Sequence, residues 1–197
     1  MDNERLQKQI DFLLEIDQEK NITRQTHLTH HGRAENDAEH AWHMAIAAYL
    51  LQEYSNTPVD IGKVLIMCLI HDIVEIDAGD TYAYDTEGLK TQKARESAAE
   101  DRIFGLLPED QQETLRALFD EFEAYETPES KFAHAMDNFQ PLILNHSNGG
   151  ADWRAHGVSI DQVLERQGKT ALGSEALFAV TRSILEENVE KGNLKTS

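Results

Sequence analysis

Apolar side chains recur at the spacing of a helix surface in nearly every segment of this chain, and no segment alternates apolar and polar residues over a convincing strand length. Four prolines and eleven glycines in 197 residues leave room for long helices. Leu6, Ile10, Leu13 and Leu14 form an i, i+4, i+7, i+8 stripe within 3–19. Asn36, with Glu39 three residues on, predicts a helix start of the capping-box kind, the helix running to about Tyr54. Asp60 is placed to cap the next, whose stripe is Ile61, Val64, Leu65, Cys68 and Leu69 and whose end lies near Asp77-Ala78-Gly79. Further helices are expected at 92–106, at 109–124 behind Pro108, and from Thr127-Pro128 to a break or kink at Pro141. Ser159 and Ser174 open two more. The polar stretch from Asn21 to Arg33 and the segment 80–90 read as loops. Without an internal repeat, a linker or a low-complexity tract, the expectation is one all-α domain over 1–197.

The charge narrows the partners. Eighteen basic against 36 acidic residues give a net charge of −18, which argues against a nucleic-acid polymer. No apolar run is long enough to span a bilayer, the first residues carry charge where a signal peptide needs apolar ones, and one cysteine cannot make an internal disulfide. The expected setting is therefore cytoplasmic, with no membrane partner. An anionic small-molecule substrate would need a local counter-charge, most simply a metal ion.

Histidine and aspartate supply candidates for holding one. His71 and Asp72 fall in the apolar stripe of their helix: Val64, Cys68, His71 and Glu75 form one row, and Ile61, Leu65, Leu69 and Asp72 its neighbour. An ionisable group in a buried stripe is costly unless it is paired or ligates a metal. His40 heads a second apolar row, with Met44, Ala47 and Leu51, and Asp137 sits beside Met136 on the helix of Phe132 and Phe139. Two imidazoles and two carboxylates on three helices suit one divalent transition-metal ion (Mn, Fe, Co, Ni or Zn) with positions left for water and substrate. The same residues also fit a plainer arrangement in which a His-Asp pair bridges helices. His43, His27, His30 and His31 read as surface or outer residues, Cys68 as packing, and Trp153 either as a core boundary or, with Arg154, as part of the site.

The segments Glu35-Asn36-Asp37-Ala38-Glu39-His40, Ile70-His71-Asp72-Ile73-Val74-Glu75 and Ala135-Met136-Asp137-Asn138 resemble the three metal motifs of the HD-domain phosphohydrolases, in order and in interval. Glu75-Ile76-Asp77-Ala78-Gly79-Asp80 is similar to the Glu-x-x-x-Gly-Asp continuation of the bacterial 5'-deoxynucleotidase branch. The match runs from about Arg24 to Trp153. It implies a helical HD-domain bundle with His40, His71, Asp72 and Asp137 around one ion, and a phosphomonoesterase acting on (deoxy)nucleoside 5'-monophosphates through attack of a metal-activated water. Glu75 and Asp80 are then the catalytic acids or bases, Arg24 and Arg33 the phosphate-binding candidates, and a homodimer the expected assembly. The chain departs from that branch in having Arg24-Gln25 where an Arg-Trp pair is usual. A di-iron oxygenase would need at least two further histidine ligands, and the interval between Asp72 and Asp137 holds only His134. A non-catalytic interaction protein stapled by a metal is the other alternative.

Overall fold

A computed structural model describes residues 3–79 and 89–196. Its helices are α1 (Asn3–Ile16), α2 (Asp37–Leu51), α3 (Ile61–Ile70), α4 (Glu75–Ala78), α5 (Leu89–Phe104), α6 (Glu109–Ala124), α7 (Pro128–Ser147), α8 (Ala151–His156), α9 (Ile160–Gln167), α10 (Thr170–Gly173) and α11 (Glu175–Glu190). Among the described residues the fold is all-α apart from one small antiparallel pair, β1 (Thr23–His27) with β2 (Ala34–Asn36). None of the described helices is long and apolar enough to cross a membrane.

Side-chain caps open five of the described helices. The Asn36 side chain accepts from Glu39 N while the Glu39 carboxylate accepts from Asn36 N, a complete capping box. Asp60 accepts from Lys63 N, Thr127 from Ser130 N, Ser159 from Gln162 N and Ser174 from Leu177 N. Pro141 does not end α7, which continues to Ser147, and the Asn145 side chain donates to the Pro141 carbonyl at 3.1 Å.

Three expectations are corrected. The Asn21–Arg33 stretch is not simply a loop. It holds β1 and the tip of a hairpin whose return strand, β2, leads directly into α2. The long helix expected from Asp60 to Gly79 stops at Ile70, and residues 71–74 form a tight turn in which Ile73 N bonds Ile70 O and Glu75 N bonds Asp72 O. On α1 the stripe of Leu6, Leu13 and Leu14 is at least half exposed, and Phe12 is the residue that reaches the core.

That core has two parts. One joins α2, α3, α7 and the C-terminal helices through Met44, Val64, Met67, Cys68, Phe132 and Met136. The other gathers Phe12, Ile70, Ile73, Val74, Ile103, Phe104 and Phe119. Ile70 and Val74 belong to the second part and Cys68 to the first, so the turn carrying His71 and Asp72 lies where the two meet. Truncating a fully buried ring such as Phe132 or Phe104 to Ala is expected to cost about 3–5 kcal/mol.

Candidate metal centre

Four side chains far apart in sequence point their polar atoms at one another. His40 comes from the first turn of α2, His71 and Asp72 from the turn after α3, and Asp137 from the middle of α7. His40 Nε2 is 3.2 Å from Asp137 Oδ1 and 4.0 Å from Asp72 Oδ2. His71 Nε2 is 3.1 Å from Asp72 Oδ2 and 3.9 Å from Asp137 Oδ1. Donors held about 2.1 Å from a common ion stand about 3 Å apart at right angles and about 4 Å apart when opposite. The four separations fall in that range.

Hydrogen bonds on the far side of each ring decide which nitrogen faces inward. His71 Nδ1 donates to the Cys68 carbonyl at 2.9 Å, leaving Nε2 for the centre. That Nε2 is buried, and despite its closeness to Asp72 it makes no hydrogen bond. His40 Nδ1 contacts Gln140 Oε1 at 2.9 Å. The Gln140 amide nitrogen already faces two acceptors, Glu35 Oε2 and His43 Nδ1, each at 3.0 Å, so Oε1 accepts from His40. His40 Nε2 then presents a lone pair to a carboxylate oxygen. Two acceptors at 3.2 Å repel unless a proton or a cation lies between them.

The electrostatics agree. Burial holds the His40 ring below its ordinary pKa, with the Arg24 charge pushing the same way. For His71 burial also works against the charge, but Asp72 and Asp137 outweigh it and lift the ring to about 9. Burial raises both aspartates less than their neighbours lower them. His71 and Arg24 hold Asp72 below the usual carboxylate range, while the His40 contact and Arg166 do so for Asp137. Charged carboxylates facing two ring nitrogens form a donor set for a divalent transition-metal ion, which on binding would displace the proton that Asp72 and Asp137 favour on His71.

The remaining expected residues are placed as follows. Glu75 opens α4, and oxygens of Asp37, Asp72 and Glu75 lie within 4.8 Å of one another. Asp80 lies outside the described residues. Arg24 Nη1 donates to Asp72 Oδ2 at 2.7 Å and to Asp37 Oδ1 at 3.2 Å, and its side chain is enclosed by carboxylates. Arg33 is exposed and pairs with Glu39 at the start of α2. His134 faces the Phe122 carbonyl at 2.9 Å and stacks on the Phe122 ring. Trp153 is buried in the core, and Arg154 bonds the Gly149 carbonyl and Asn193. His27 pairs with Asp152 at 2.8 Å.

Several residues at the site have no role assigned to them by the sequence alone. Gln140, one turn after Asp137, fixes His40. Glu35 and Asp37, two apart across the end of β2, surround Arg24 and Gln140. Glu19, in the 3-10 turn after α1, is buried; burial first, then the charge of Asp72, raises it to about 7. Glu35 is likewise raised to about 7, by burial against the bond from Gln140. A polar residue one helical turn from a candidate ligand was the signal available for Gln140. Glu19 has none in its neighbourhood.

Comparison with known proteins identifies the relatives of the chain. The model of a family described as an HD domain matches residues 16–177. The 5'-deoxynucleotidase HDDC2 of Danio rerio is 28% identical over 112 residues, 57% of this chain and 54% of that protein. The human protein of the same name is 27% identical over 111 residues, 56% and 53%. The chain thus spans about half the length of the curated relatives it matches. The crystal structure of a "predicted metal-dependent phosphohydrolase" from Magnetospirillum magnetotacticum MS-1 superposes with a TM-score of 0.92 at 47% identity, over 96% of this chain and 95% of that one. The PH0347 protein of Pyrococcus horikoshii OT3 shares the fold, with a TM-score of 0.62 at 16% identity over 91% and 97%.

Proposed function

The chain belongs to the HD-domain family, and we propose that it is a metal-dependent phosphohydrolase releasing inorganic phosphate from (deoxy)nucleoside 5'-monophosphates. The observation that carries this reading is the buried His40 Nε2 turned toward Asp137 Oδ1 at 3.2 Å with its Nδ1 already engaged. The Magnetospirillum structure supports the phosphohydrolase class, and the two deoxynucleotidases support the nucleotide substrate.

His40, His71, Asp72 and Asp137 would hold the ion. When bound, a divalent ion supplies Lewis-acid polarisation of a phosphoryl oxygen and lowers the pKa of water at the site. Glu75, beside Asp72, orients the attacking water and takes its proton. Asp80, five residues on, is the second candidate for handing a proton to the departing 5'-oxygen. Arg24 keeps Asp72 charged and aimed at the centre, and Gln140 does the same for the His40 ring. Burial of both imidazoles excludes bulk water from the ligand side of the site.

We place the protein in the cytoplasm as a homodimer. Trp42, Ile46, Tyr49 and Leu50 form an exposed apolar stripe on α2 that a second copy would cover, and light scattering tests it.

The deciding experiment measures phosphate released from ribo- and deoxyribonucleoside 5'-monophosphates with Mn, Co, Fe, Ni and Zn, His71→Ala serving as control. Turnover in the parent and a loss of at least about a thousandfold in the variant is the expected result. Equal turnover by His71→Ala would remove the mechanism.

A further inference from the structure

Asp137 divides its two oxygens between different neighbours. Oδ1 faces the two histidine nitrogens, while Oδ2 faces Arg166 Nη2 at 3.9 Å. That distance is an ion pair but not a hydrogen bond, so the guanidinium is drawn to the carboxylate without being consumed by it. Arg166 makes no closer polar contact among the described residues, and 34% of its side chain is exposed.

The other arginine at the site is differently disposed. Arg24 is 11% exposed and hydrogen-bonds both Asp72 and Asp37. Its charge is spent on the protein's own carboxylates. What else surrounds the centre is acidic: Glu75 lies beside Asp72, and Glu123 feels the charges of both Asp72 and Asp137. A phosphate monoester entering such a place needs a cation besides the metal, with donors still available.

Arg166 also has a fixed root. It stands at the end of α9, whose start is held by the Ser159–Gln162 capping box. The next residue, Gln167, is buried and donates to the Asn138 carbonyl at 2.7 Å, immediately after Asp137 in the chain. Val163 anchors the same helix in the core. The backbone of Arg166 is therefore tied to the segment carrying Asp137, while its planar five-donor head makes no hydrogen bond among the described residues and its side chain is partly exposed.

We propose that Arg166 binds the phosphoryl group of the substrate, pairing its guanidinium with non-bridging oxygens of a phosphate monoester dianion held against Asp137. This rests on the phosphohydrolase reading above and assigns the phosphate contact to α9 rather than to Arg24 or Arg33.

The test uses inorganic phosphate as the probe, titrated calorimetrically into the Mn-loaded full chain, beside Mn affinity and steady-state kinetics. Arg166→Met should weaken phosphate binding about tenfold to a hundredfold and raise KM, with Mn affinity within about twofold of the parent. Arg166→Lys should recover part of the loss, and it gives the same reading if the Met variant does not fold. Unchanged phosphate binding in both variants overturns the assignment. So does a fall in Mn affinity matching the fall in phosphate affinity, since Arg166 would then act by holding Asp137. An active parent with indifferent variants defeats this inference alone. An inactive parent whose phosphate binding still depends on Arg166 defeats the enzymatic reading alone.

Discussion

Gln140 Oε1 accepts the His40 Nδ1 proton at 2.9 Å, and the Gln140 amide cannot rotate away because its nitrogen bonds both Glu35 and His43. The glutamine thus selects the tautomer that leaves His40 Nε2 free for a metal, as outer hydrogen bonds to ligating histidines commonly do. Replacing Gln140 by Ala should lower Mn affinity about 10- to 100-fold without unfolding the protein, measured by chelator competition alongside circular dichroism. An affinity within twofold of the parent would mean that packing alone orients the ring.

Arg24 is the counter-charge for two carboxylates that are almost fully buried, Asp37 and Asp72. Arg24→Met leaves them without that partner, which should destabilise the metal-free protein by about 3–5 kcal/mol in urea unfolding. Saturating Mn should restore part of the loss, because the ion offsets the Asp72 charge.

Both predictions involve residues of unequal legibility. His40, His71, Asp72 and Asp137 stand out in the sequence because ionisable groups interrupt apolar rows, and Asn36 and Asp60 because caps are local signals. The β1–β2 hairpin has no such signal. Thr23–His27 is polar throughout, and the hairpin is held from outside, by Asn148 donating to the His27 and Leu28 carbonyls and by Asp152 accepting from His27. The helix stop after Ile70 is also non-local, with no glycine or proline to mark it. Ile70, Ile73 and Val74, at i, i+3 and i+4, would share one face of a continuous helix with Cys68 on the other, so the apolar pattern reads straight through the stop. Helical period found α1 but not its buried face, since Phe12 lies off the leucine stripe. Arg166 is one polar residue of an amphipathic helix, and only the packing of α9 on α7 brings it to Asp137.

Metal binding should appear as stability. A ligand at 100 times its Kd adds about 2.7 kcal/mol to a folded state that alone binds it. For a chain of this length that raises Tm by about 5–10 °C. Thermal unfolding with Mn and with a chelator should show the shift in the parent and in Glu75→Gln, but not in His71→Ala. A shift of the same size in His71→Ala would place the ion elsewhere.

His134 offers a pH test away from the ligand atoms. Its ring stacks on Phe122, its Nε2 faces the Phe122 carbonyl, and burial pushes its pKa from 6.5 down to about 4. In the unfolded chain it gains a proton near pH 6.5, in the folded protein only near 4, so protons favour unfolding between those values. Its contribution is complete above pH 6.5 and is lost as pH falls toward 4, by at most about 3 kcal/mol. Glu19 and Glu35, raised to about 7, act in the opposite direction: the folded state takes up their protons first, and stability rises as pH falls from 7 toward 4.5. Those two are common to any variant at position 134, so a comparison isolates the histidine. His134→Gln, which retains an amide donor for the Phe122 carbonyl, should lose less stability than the parent between pH 7 and pH 4 in urea titrations. Parallel stability curves for the two proteins would show that His134 does not titrate abnormally in the fold.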